Sequence, residues 1–319
     1  MILARSPLRL SLGGGGTDLP SYYRRRGGFL IAGALDQFVT VSVSLGPQGA
    51  PPAGSEIIRA AHPLLDETLR HFGIDRDAVT VASRGDQPPG SGLGSSGSFT
   101  TAAIAALAAH SGRVMTPDEI AQLACAIEID SLGRGVGKQD QYAAAHGGLR
   151  CYTFHPDDTV EVVPLRMSAD VQHRFSESLM LYFTGVTRSA ATLLDDQDAR
   201  TRADDRTMLD NLDAVKAIGL DSRRLLEAGA LSDYGALMHH HWDLKKRRSD
   251  RASLPHVDAA YDLARQNGAL GGKIVGAGGG GFLLLLAERP DQVRAALQTT
   301  GLREVRFGFH AHGTEVMAP

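Results

Sequence analysis

The chain has little of several features that mark other classes of protein. Its 319 residues include only two cysteines, Cys125 and Cys151, and one tryptophan. Because Cys125 lies in an apolar helical run, the sequence indicates no disulfide framework. The formal net charge is −3, and this near balance offers no electrostatic basis for binding nucleic acid or an anionic membrane.

Long apolar runs are also missing. Residues 282–287 are all apolar, but this run is far short of the roughly 20 residues that a membrane-spanning helix needs. Arg5 and Arg9 interrupt the apolar residues near the N-terminus, which argues against a signal peptide. We therefore expect a cytoplasmic protein. Its hydrophobic content of 43% is ample for two domains, which we place at residues 1–160 and 161–319.

Glycine is plentiful, and the middle of three glycine-rich stretches is the most informative. Residues 88–96 read PPGSGLGSS and precede an alanine-rich helical segment. Glycine lets successive backbone N–H groups turn toward one point, where a helix N-terminus adds positive charge, so the stretch predicts a phosphate-binding loop. It lacks the lysine of a Walker A loop. A glycine-rich turn that only caps a buried helix is the alternative.

The other two stretches lie near the ends of the chain. Residues 5–18 read RSPLRLSLGGGGTD, a strand-like segment followed by four glycines and an acid. Residues 273–282 read KIVGAGGGGF and satisfy the pattern of a dinucleotide-binding turn. That turn should lead from a strand into a helix, but a second apolar strand follows here. A tight glycine corner between two strands is therefore the better interpretation.

The secondary-structure pattern mixes hairpins and helices without regular β-α-β alternation, which predicts an α+β fold. Helices are predicted at residues 62–72, 96–110, 117–129 and 290–298, with several more between 183 and 273. Strands are predicted at residues 3–12, 29–45, 79–82, 149–154, 179–183, 273–275, 282–286 and 304–309.

The three glycine-rich stretches together, in this order, resemble the three signature motifs of the GHMP small-molecule kinases, the family of galactokinase and mevalonate kinase. The resemblance spans residues 5 to about 282. It implies a ribosomal protein S5 domain 2-like N-terminal domain, a ferredoxin-like C-terminal domain, and the use of ATP and Mg²⁺. Within the family, residues 5–18 and the segment GKQDQY at 137–142 look most like those of D-glycero-D-manno-heptose 7-phosphate kinases.

The resemblance also implies which residues hold ATP and perform the transfer. Transfer to an alcohol is helped by a carboxylate that takes the proton, and Asp140 is our candidate, with a helix cap as its alternative role. Arg9 resembles the basic residue that pairs with this acid, and Lys138 is a candidate to stabilise the transferred phosphoryl group. A surface arginine and an exposed loop lysine are the alternatives. The predicted ATP-binding loop consists of Pro89, Gly90, Ser91, Gly92, Leu93, Gly94, Ser95 and Ser96.

Two acids have further implied roles. Glu128 resembles the family's metal-binding glutamate, and a surface acid is its alternative role. Ser96 would bind the same Mg²⁺, with Ser95 as the alternative hydroxyl. Asp18 resembles the acid that holds sugar hydroxyls, although it could instead cap the turn that follows. The other predicted substrate-binding residues are Gly15, Gly16, Thr17, Gly278 and Gly279.

Basic residues in the second half matter if the acceptor already carries a phosphate. Arg188 opens a predicted helix, a natural position for anion binding, and one of the basic residues 245–248 would assist it. A solvated helix face is the default interpretation of 245–248. The three histidines 239–241 cannot converge on one metal ion, because adjacent side chains on a helix point about 100° apart.

We therefore expect an ATP-dependent and Mg²⁺-dependent kinase of a small-molecule sugar phosphate. The expected reaction phosphorylates the anomeric hydroxyl of a heptose 7-phosphate. A kinase of a neutral sugar such as fucose or galactose, and a catalytically silent sugar sensor on the same fold, are the alternatives. The sequence leaves a monomer and a homodimer both open.

Overall fold

The computed structural model describes residues 1–46, 51–187, 191–249 and 251–317. These residues form two antiparallel sheets with helices packed against them, so the predicted α+β class is confirmed. The helices are α1 (Pro20–Arg26), α2 (Pro63–Phe72), α3 (Ser95–His110), α4 (Pro117–Cys125), α5 (Gln139–His146), α6 (Ala169–Ser178), α7 (Ala191–Arg202), α8 (Arg206–Glu227), α9 (Leu231–Arg248), α10 (Pro255–Gln266) and α11 (Pro290–Leu297).

The first sheet has seven strands and is built around two long ones. Its strands are β1 (Ile2–Gly13), β2 (Gly28–Leu45), β3 (Glu56–Ile57), β4 (Val79–Gly85), β5 (Leu149–Phe154), β6 (Val160–Pro164) and β11 (Glu315–Met317). β2 pairs with β1, β4 and β5, while β6 pairs with β5 and β11 pairs with β1. The division into domains at residues 160 and 161 stays a prediction.

The second sheet has the ferredoxin-like arrangement that the resemblance implied. Its strands are β7 (Leu179–Phe183), β8 (Ala269–Ile274), β9 (Phe282–Ala287) and β10 (Arg303–Glu304). The spatial order is β10-β7-β9-β8, with every pairing antiparallel. Along the chain, a strand is followed by helices, a hairpin, one helix and a last strand, which is the β-α-β-β-α-β succession of that fold.

Helix α3 is the centre of the first half. It packs on β1 and β2, and residues 97–108 are all buried. A helix that is apolar on all sides is stable only inside a protein, which explains its alanine-rich sequence. Because its N-terminus follows residues 88–94 directly, the packing of α3 also positions the glycine-rich loop.

Two predicted elements differ from the structure. The helix expected at 117–129 is α-helical only to Cys125 and continues as a π-helix over Ala126–Ser131. The strand expected at 304–309 is reduced to Arg303–Glu304, because the chain then leaves β7 and crosses to the first sheet, where Phe309 bridges to Leu35.

No helix in the described part of the chain has the length and apolar character that crossing a membrane requires.

Candidate active site

The three glycine-rich stretches meet at one cleft. The cavity measures about 1450 Å³ and is lined by residues of the first stretch, the middle loop, the segment 132–141 and the helices α7 and α9. Pockets for single drug-sized ligands typically measure about 300–1,000 Å³. The cleft can therefore hold a nucleotide and a second small molecule together.

The middle loop has the backbone conformation that its sequence predicts. Gly90, Gly92 and Gly94 have φ values of 73°, 85° and 80°, in the left-handed region that glycine adopts without strain. Gly94 is the N-cap residue of α3, and no side chain caps that helix. The first backbone N–H groups of α3 therefore lack an intrahelical or capping partner and can bind an anion.

Only part of the predicted ATP-binding loop faces the cleft. The lining residues are Pro89, Gly90, Gly92, Gly94, Ser95 and Ser96. Ser91 and Leu93 point into the protein and are buried, so their side chains cannot contact a ligand in the cleft. The Leu93 carbonyl accepts a hydrogen bond from the Arg9 backbone N–H at 2.9 Å, which ties the loop to β1.

The third glycine stretch supports the loop from behind. A Cβ atom on Gly281 would lie 2.1 Å from the Ser91 carbonyl oxygen, so no larger residue fits there. Gly276 lines the cleft, whereas Gly278 and Gly279 do not. The Gly279 N–H donates to the Ala252 carbonyl at 2.8 Å. The contact of Gly278 and Gly279 with substrate stays a prediction.

Arg9 and Asp140 form an ion pair at the cleft, although they lie 131 residues apart. Nε and Nη2 of Arg9 lie 2.8 and 2.6 Å from the same oxygen, Oδ1, of Asp140. Arg9 is only 5% exposed and also donates to the Gly92 carbonyl at 2.5 Å. Asp140 is the second residue of α5, after the N-cap, so the alternative role as a helix cap does not hold. The pair presents one carboxylate, held in place, beside the glycine-rich loop.

Glycines allow α3 to approach Asp140 closely. A Cβ on Gly97 would lie 2.7 Å from the Asp140 Cβ, and one on Gly94 would lie 3.1 Å from Cγ of Arg9. The sequence GLGSSG thus does two things: it forms the loop, and it brings the helix N-terminus against the carboxylate.

Asp18 is buried at the edge of the cleft next to Asp140. Its two carboxylate oxygens accept hydrogen bonds from the N–H groups of Gly16 and Gln139, each at 3.0 Å. Burial raises the pKa of Asp18, and the charge of Asp140 raises it further, against the lowering effect of these hydrogen bonds. Gly137 must be glycine, since its Cβ would lie 1.9 Å from Oδ2 of Asp18.

The neighbouring residues of the first stretch divide into two groups. Gly15 and Gly16 line the cleft, whereas Thr17 does not. The substrate contacts expected of the three residues stay predictions. The Thr17 hydroxyl is buried within 2.9 Å of the Gly14 carbonyl and 3.0 Å of the Phe29 carbonyl, so its hydrogen bonds serve the turn into α1.

Glu128 and Ser96 are direct neighbours. The Ser96 hydroxyl donates to Oε2 of Glu128 at 2.6 Å, and Thr100 and Gln141 donate to Oε1 at 3.1 and 3.0 Å. Glu128 is only 1% exposed, which excludes a surface acid, and burial raises its pKa. It lies in the π-helix after α4, a deformation that frequently marks functional sites.

The Ser96 hydroxyl and the Glu128 carboxylate have the oxygen chemistry that a magnesium ion prefers. Mg²⁺ prefers hard oxygen ligands, is usually held by one or two protein groups, and takes its remaining ligands from water and phosphates. Nη1 of Arg134 lies 2.8 Å from Oε2 of Glu128 and 3.0 Å from Ser96 Oγ. A cation is therefore already attracted to this point, and the half-exposed Arg134 side chain would have to move for a metal to bind.

Lys138 does not reach the cleft. Its ammonium group donates to the Asp158 carbonyl at 2.9 Å and lies 4.8 Å from the centre of the Tyr23 ring. It is 9% exposed, so the alternative of an exposed loop lysine is wrong. The contact of Lys138 with a transferred phosphoryl group stays a prediction, which rests on its position two residues before Asp140 in the sequence.

Other basic residues do reach the cleft. Lys245 is 8% exposed and Arg248 also lines the cavity, so the solvated helix face expected for 245–248 is wrong at these two positions. Sequence analysis missed His241 and Lys273, which line the cleft as well. The available signal was Lys273 as the single charged residue of strand β8. Arg188, the predicted phosphate-binding residue, lies outside the described residues.

The matches to known proteins identify the family. The family models "GHMP kinases N terminal domain" and "GHMP kinases C terminal" match residues 56–148 and 222–301. A mevalonate kinase of Thermococcus sibiricus is 30% identical over 262 residues, covering 77% of this chain and 70% of that protein. The chain belongs to the GHMP kinase family, and it is therefore a phosphotransferase of the class that uses ATP.

Two further matches are to proteins named as heptose phosphate kinases. The D-glycero-alpha-D-manno-heptose 7-phosphate kinase of Campylobacter jejuni subsp. jejuni serotype O:2 is 29% identical over 308 residues, covering 90% of this chain and 89% of that protein. The crystal structure of a D-glycero-D-manno-heptose 1-phosphate kinase from Bacteroides thetaiotaomicron superposes with a TM-score of 0.78 at 23% identity, over 100% of this chain and 99% of that one. The GHMP kinase fold is confirmed.

Proposed function

We propose that the protein transfers the γ-phosphoryl group of ATP to the anomeric hydroxyl of D-glycero-D-manno-heptose 7-phosphate. The product is the 1,7-bisphosphate, a precursor for nucleotide-activated heptose. The observation that carries the proposal is the Arg9–Asp140 pair, held within hydrogen-bond distance at the N-terminus of α3 and open to the cleft. Because ATP is consumed, we place the enzyme in the cytoplasm.

The residues of the cleft have distinct roles in this reaction. The glycine-rich loop and the uncapped N-terminus of α3 bind the phosphates of ATP through backbone N–H groups. Asp140 accepts the proton of the sugar hydroxyl as the phosphoryl group is transferred. Arg9 orients Asp140 through two nitrogen contacts and anchors the loop through Gly92, so the base and the donor keep a constant geometry.

Ser96 and Glu128 would hold magnesium. Bound there, magnesium would supply positive charge that offsets the negative charge of the phosphates during transfer. The protein's own contribution is to bury Glu128 and to hold both of its oxygens with hydrogen bonds from Ser96, Thr100 and Gln141.

Asp18 would bind hydroxyl groups of the sugar. A carboxylate has about four acceptor sites, of which the N–H groups of Gly16 and Gln139 occupy two. The remaining lone pairs can accept from adjacent sugar hydroxyls. The heptose 7-phosphate assignment is further supported by the similarity to the Campylobacter jejuni enzyme of that name over nearly the full length of both chains.

A coupled ADP-release screen tests the proposal. Purified protein with ATP and magnesium would be assayed against heptose 7-phosphate, the unphosphorylated heptose, fucose, galactose and mevalonate. The expected result is the highest kcat/KM with heptose 7-phosphate. A preference for fucose or galactose would replace the acceptor by a neutral sugar, and no transfer to any compound would favour a silent sensor.

A further inference from the structure

Four basic side chains form one wall of the cleft, on the side of the second sheet. They are His241, Lys245 and Arg248 from α9 and Lys273 from β8, and we call them the basic wall. Lys273 is 3% exposed, and His241 and Lys245 are buried as well. Lysine is almost never fully buried unless it is paired, so this cluster requires an explanation.

The hydrogen bonds of the basic wall go only to uncharged groups within the described residues. Lys245 donates to the carbonyl oxygens of Ile274, at 2.8 Å, and Gly276. The Lys273 ammonium lies 3.3 Å from Nδ1 of His241. Over residues 1–46, 51–187, 191–249 and 251–317, no carboxylate lies within 4.0 Å of any of the four. The cluster therefore has no carboxylate counter-ion among the described residues.

Arg248 has an unused donor. Its Nε and Nη1 donate to Asn211 at 3.1 Å and Gln197 at 2.9 Å, whereas Nη2 is buried without a hydrogen-bond partner among the described residues. A buried donor without a partner is rare in folded proteins and often marks a bound group. Its amide neighbours hold the guanidinium plane in place, and Nη2 is left without a protein acceptor among the described residues.

Burial and mutual repulsion disfavour the charged forms of the residues in the basic wall. Burial, together with the charges of Arg248 and Arg9, lowers the pKa of Lys273 to about 7. Burial and the neighbouring positive charges also lower the pKa values of His241 and Lys245 well below their ordinary values, and burial lowers that of Arg248 to about 10. A dianion bound among these groups would relieve both the repulsion and the lack of partners.

The position of the basic wall points to the acceptor rather than to ATP. Arg248 Nη1 would lie 2.9 Å from a Cβ on Gly16, and Gln197 donates to the Gly16 carbonyl at 2.9 Å. The basic wall thus adjoins the first glycine stretch, which carries Asp18. Lys245 also donates to the carbonyl of Gly276, which packs against Gly92 of the glycine-rich loop, so Arg248 is the member of the basic wall that lies on the acceptor side.

We infer that the basic wall binds the phosphate monoester that the acceptor sugar already carries, with Nη2 of Arg248 and the ammonium groups of Lys273 and Lys245 as donors. This assignment rests on the proposed function and deepens it, since it names the part of the site that distinguishes a phosphorylated acceptor from a neutral one. A phosphate of ATP has the same chemistry, so the test must separate the two sources.

The first experiment compares acceptors. Arg248→Gln and the matched control Arg247→Gln, an exposed neighbour on α9, would be assayed with heptose 7-phosphate and with unphosphorylated heptose. Arg248→Gln should lower kcat/KM for the phosphorylated sugar at least about tenfold, since it removes a charge-assisted contact. The kcat/KM of Arg248→Gln for neutral heptose and its KM for ATP should stay within about twofold of the wild-type values. Arg247→Gln should change none of these three constants.

Equal losses of kcat/KM on both acceptors would overturn the inference, and so would a raised KM for ATP, which would assign the basic wall to the nucleotide. These results are distinct from a failure of the proposed function. In that case the wild-type enzyme would not phosphorylate heptose 7-phosphate, and a binding measurement with the same compound in the absence of ATP would still test the basic wall.

The binding measurement is calorimetry at pH 8 in two buffers of different ionisation enthalpy. Lys273 is mostly uncharged at this pH and faces His241, Lys245, Arg248 and Arg9, so binding a dianion should return up to about one proton to it. Lys273→Met should reduce this proton uptake, whereas Arg247→Gln should retain it in full. Absence of binding, or binding without proton uptake, would overturn the inference.

Discussion

Replacing Asp140 by asparagine tests the centre of the proposed mechanism. Both contacts from Arg9 go to Oδ1, at 2.8 and 2.6 Å, so an asparagine oxygen at that position keeps them while the charge is lost. A positioned general base contributes about 10²–10⁴ in rate, and a hundredfold loss corresponds to about 3 kcal/mol in the barrier. We therefore expect Asp140→Asn to lower kcat at least about a hundredfold.

ATP binding should survive this substitution. The ATP-binding loop is held by Gly281 and Leu93 rather than by Asp140, and Arg9 keeps its bond to the Gly92 carbonyl. The assay is coupled ADP release at saturating ATP and heptose 7-phosphate, with ATP affinity measured by calorimetry on the same preparation. Retained affinity with lost turnover would assign Asp140 to the chemical step.

A matched control is Asp204→Asn. Asp204 pairs with Arg25 on the surface, where the two side chains are 63% and 47% exposed, and such pairs contribute at most about 1 kcal/mol to stability. Its turnover should equal that of the wild type. If Asp140→Asn retained turnover within about tenfold of the wild type, the reasoning would be refuted, because the Arg9–Asp140 pair would then only join β1 to α5.

Three further predictions concern metal, charge and the acceptor. Glu128→Gln should raise the magnesium concentration that gives the half-maximal rate, because a charged ligand is lost; an unchanged metal titration would remove Glu128 from the metal site. The pKa of Lys273 is about 7 in the folded protein and 10.5 in the unfolded chain. The cost of burying its charge is therefore full below pH 7, and the free energy of unfolding rises as pH increases from 7 to 10.5. Lys273→Met should thus raise the Tm of the ligand-free protein more at pH 6 than at pH 9 in thermal scans, and equal changes at both pH values would contradict this. Arg188→Ala should reduce kcat/KM for heptose 7-phosphate at least about tenfold and spare neutral heptose, since a planar guanidinium matches phosphate oxygens; equal losses would place Arg188 elsewhere.

Much of the fold follows from local sequence signals. The helix predicted at 96–110 is observed at Ser95–His110, and the helix predicted from 117 begins at Pro117, after a reciprocal cap between Thr116 and Glu119. Gly90, Gly92 and Gly94 adopt left-handed conformations in the loop that their spacing indicated. These features depend on backbone conformation and on contacts within one or two turns, so a short window of sequence contains their causes.

A place inside a motif does not by itself fix what a side chain contacts. Lys138 is two residues before Asp140, yet its ammonium contacts Tyr23 and Asp158, because it is the N-cap residue of α5 and its side chain leaves the helix in another direction. Thr17 lies inside a motif, but the turn uses its hydroxyl.

The basic wall could not be predicted from the sequence alone. Lys245 and Lys273 meet only because α9 packs on β8, and each residue taken alone has the pattern of a solvated position or an ordinary strand. The sequence by itself determined the glycine conformations, the helix starts and the Arg9, Asp18, Glu128 and Asp140 candidates. Tertiary structure decided which basic groups are buried together, since burial and electrostatic coupling depend on distances across the fold and not on spacing along the chain.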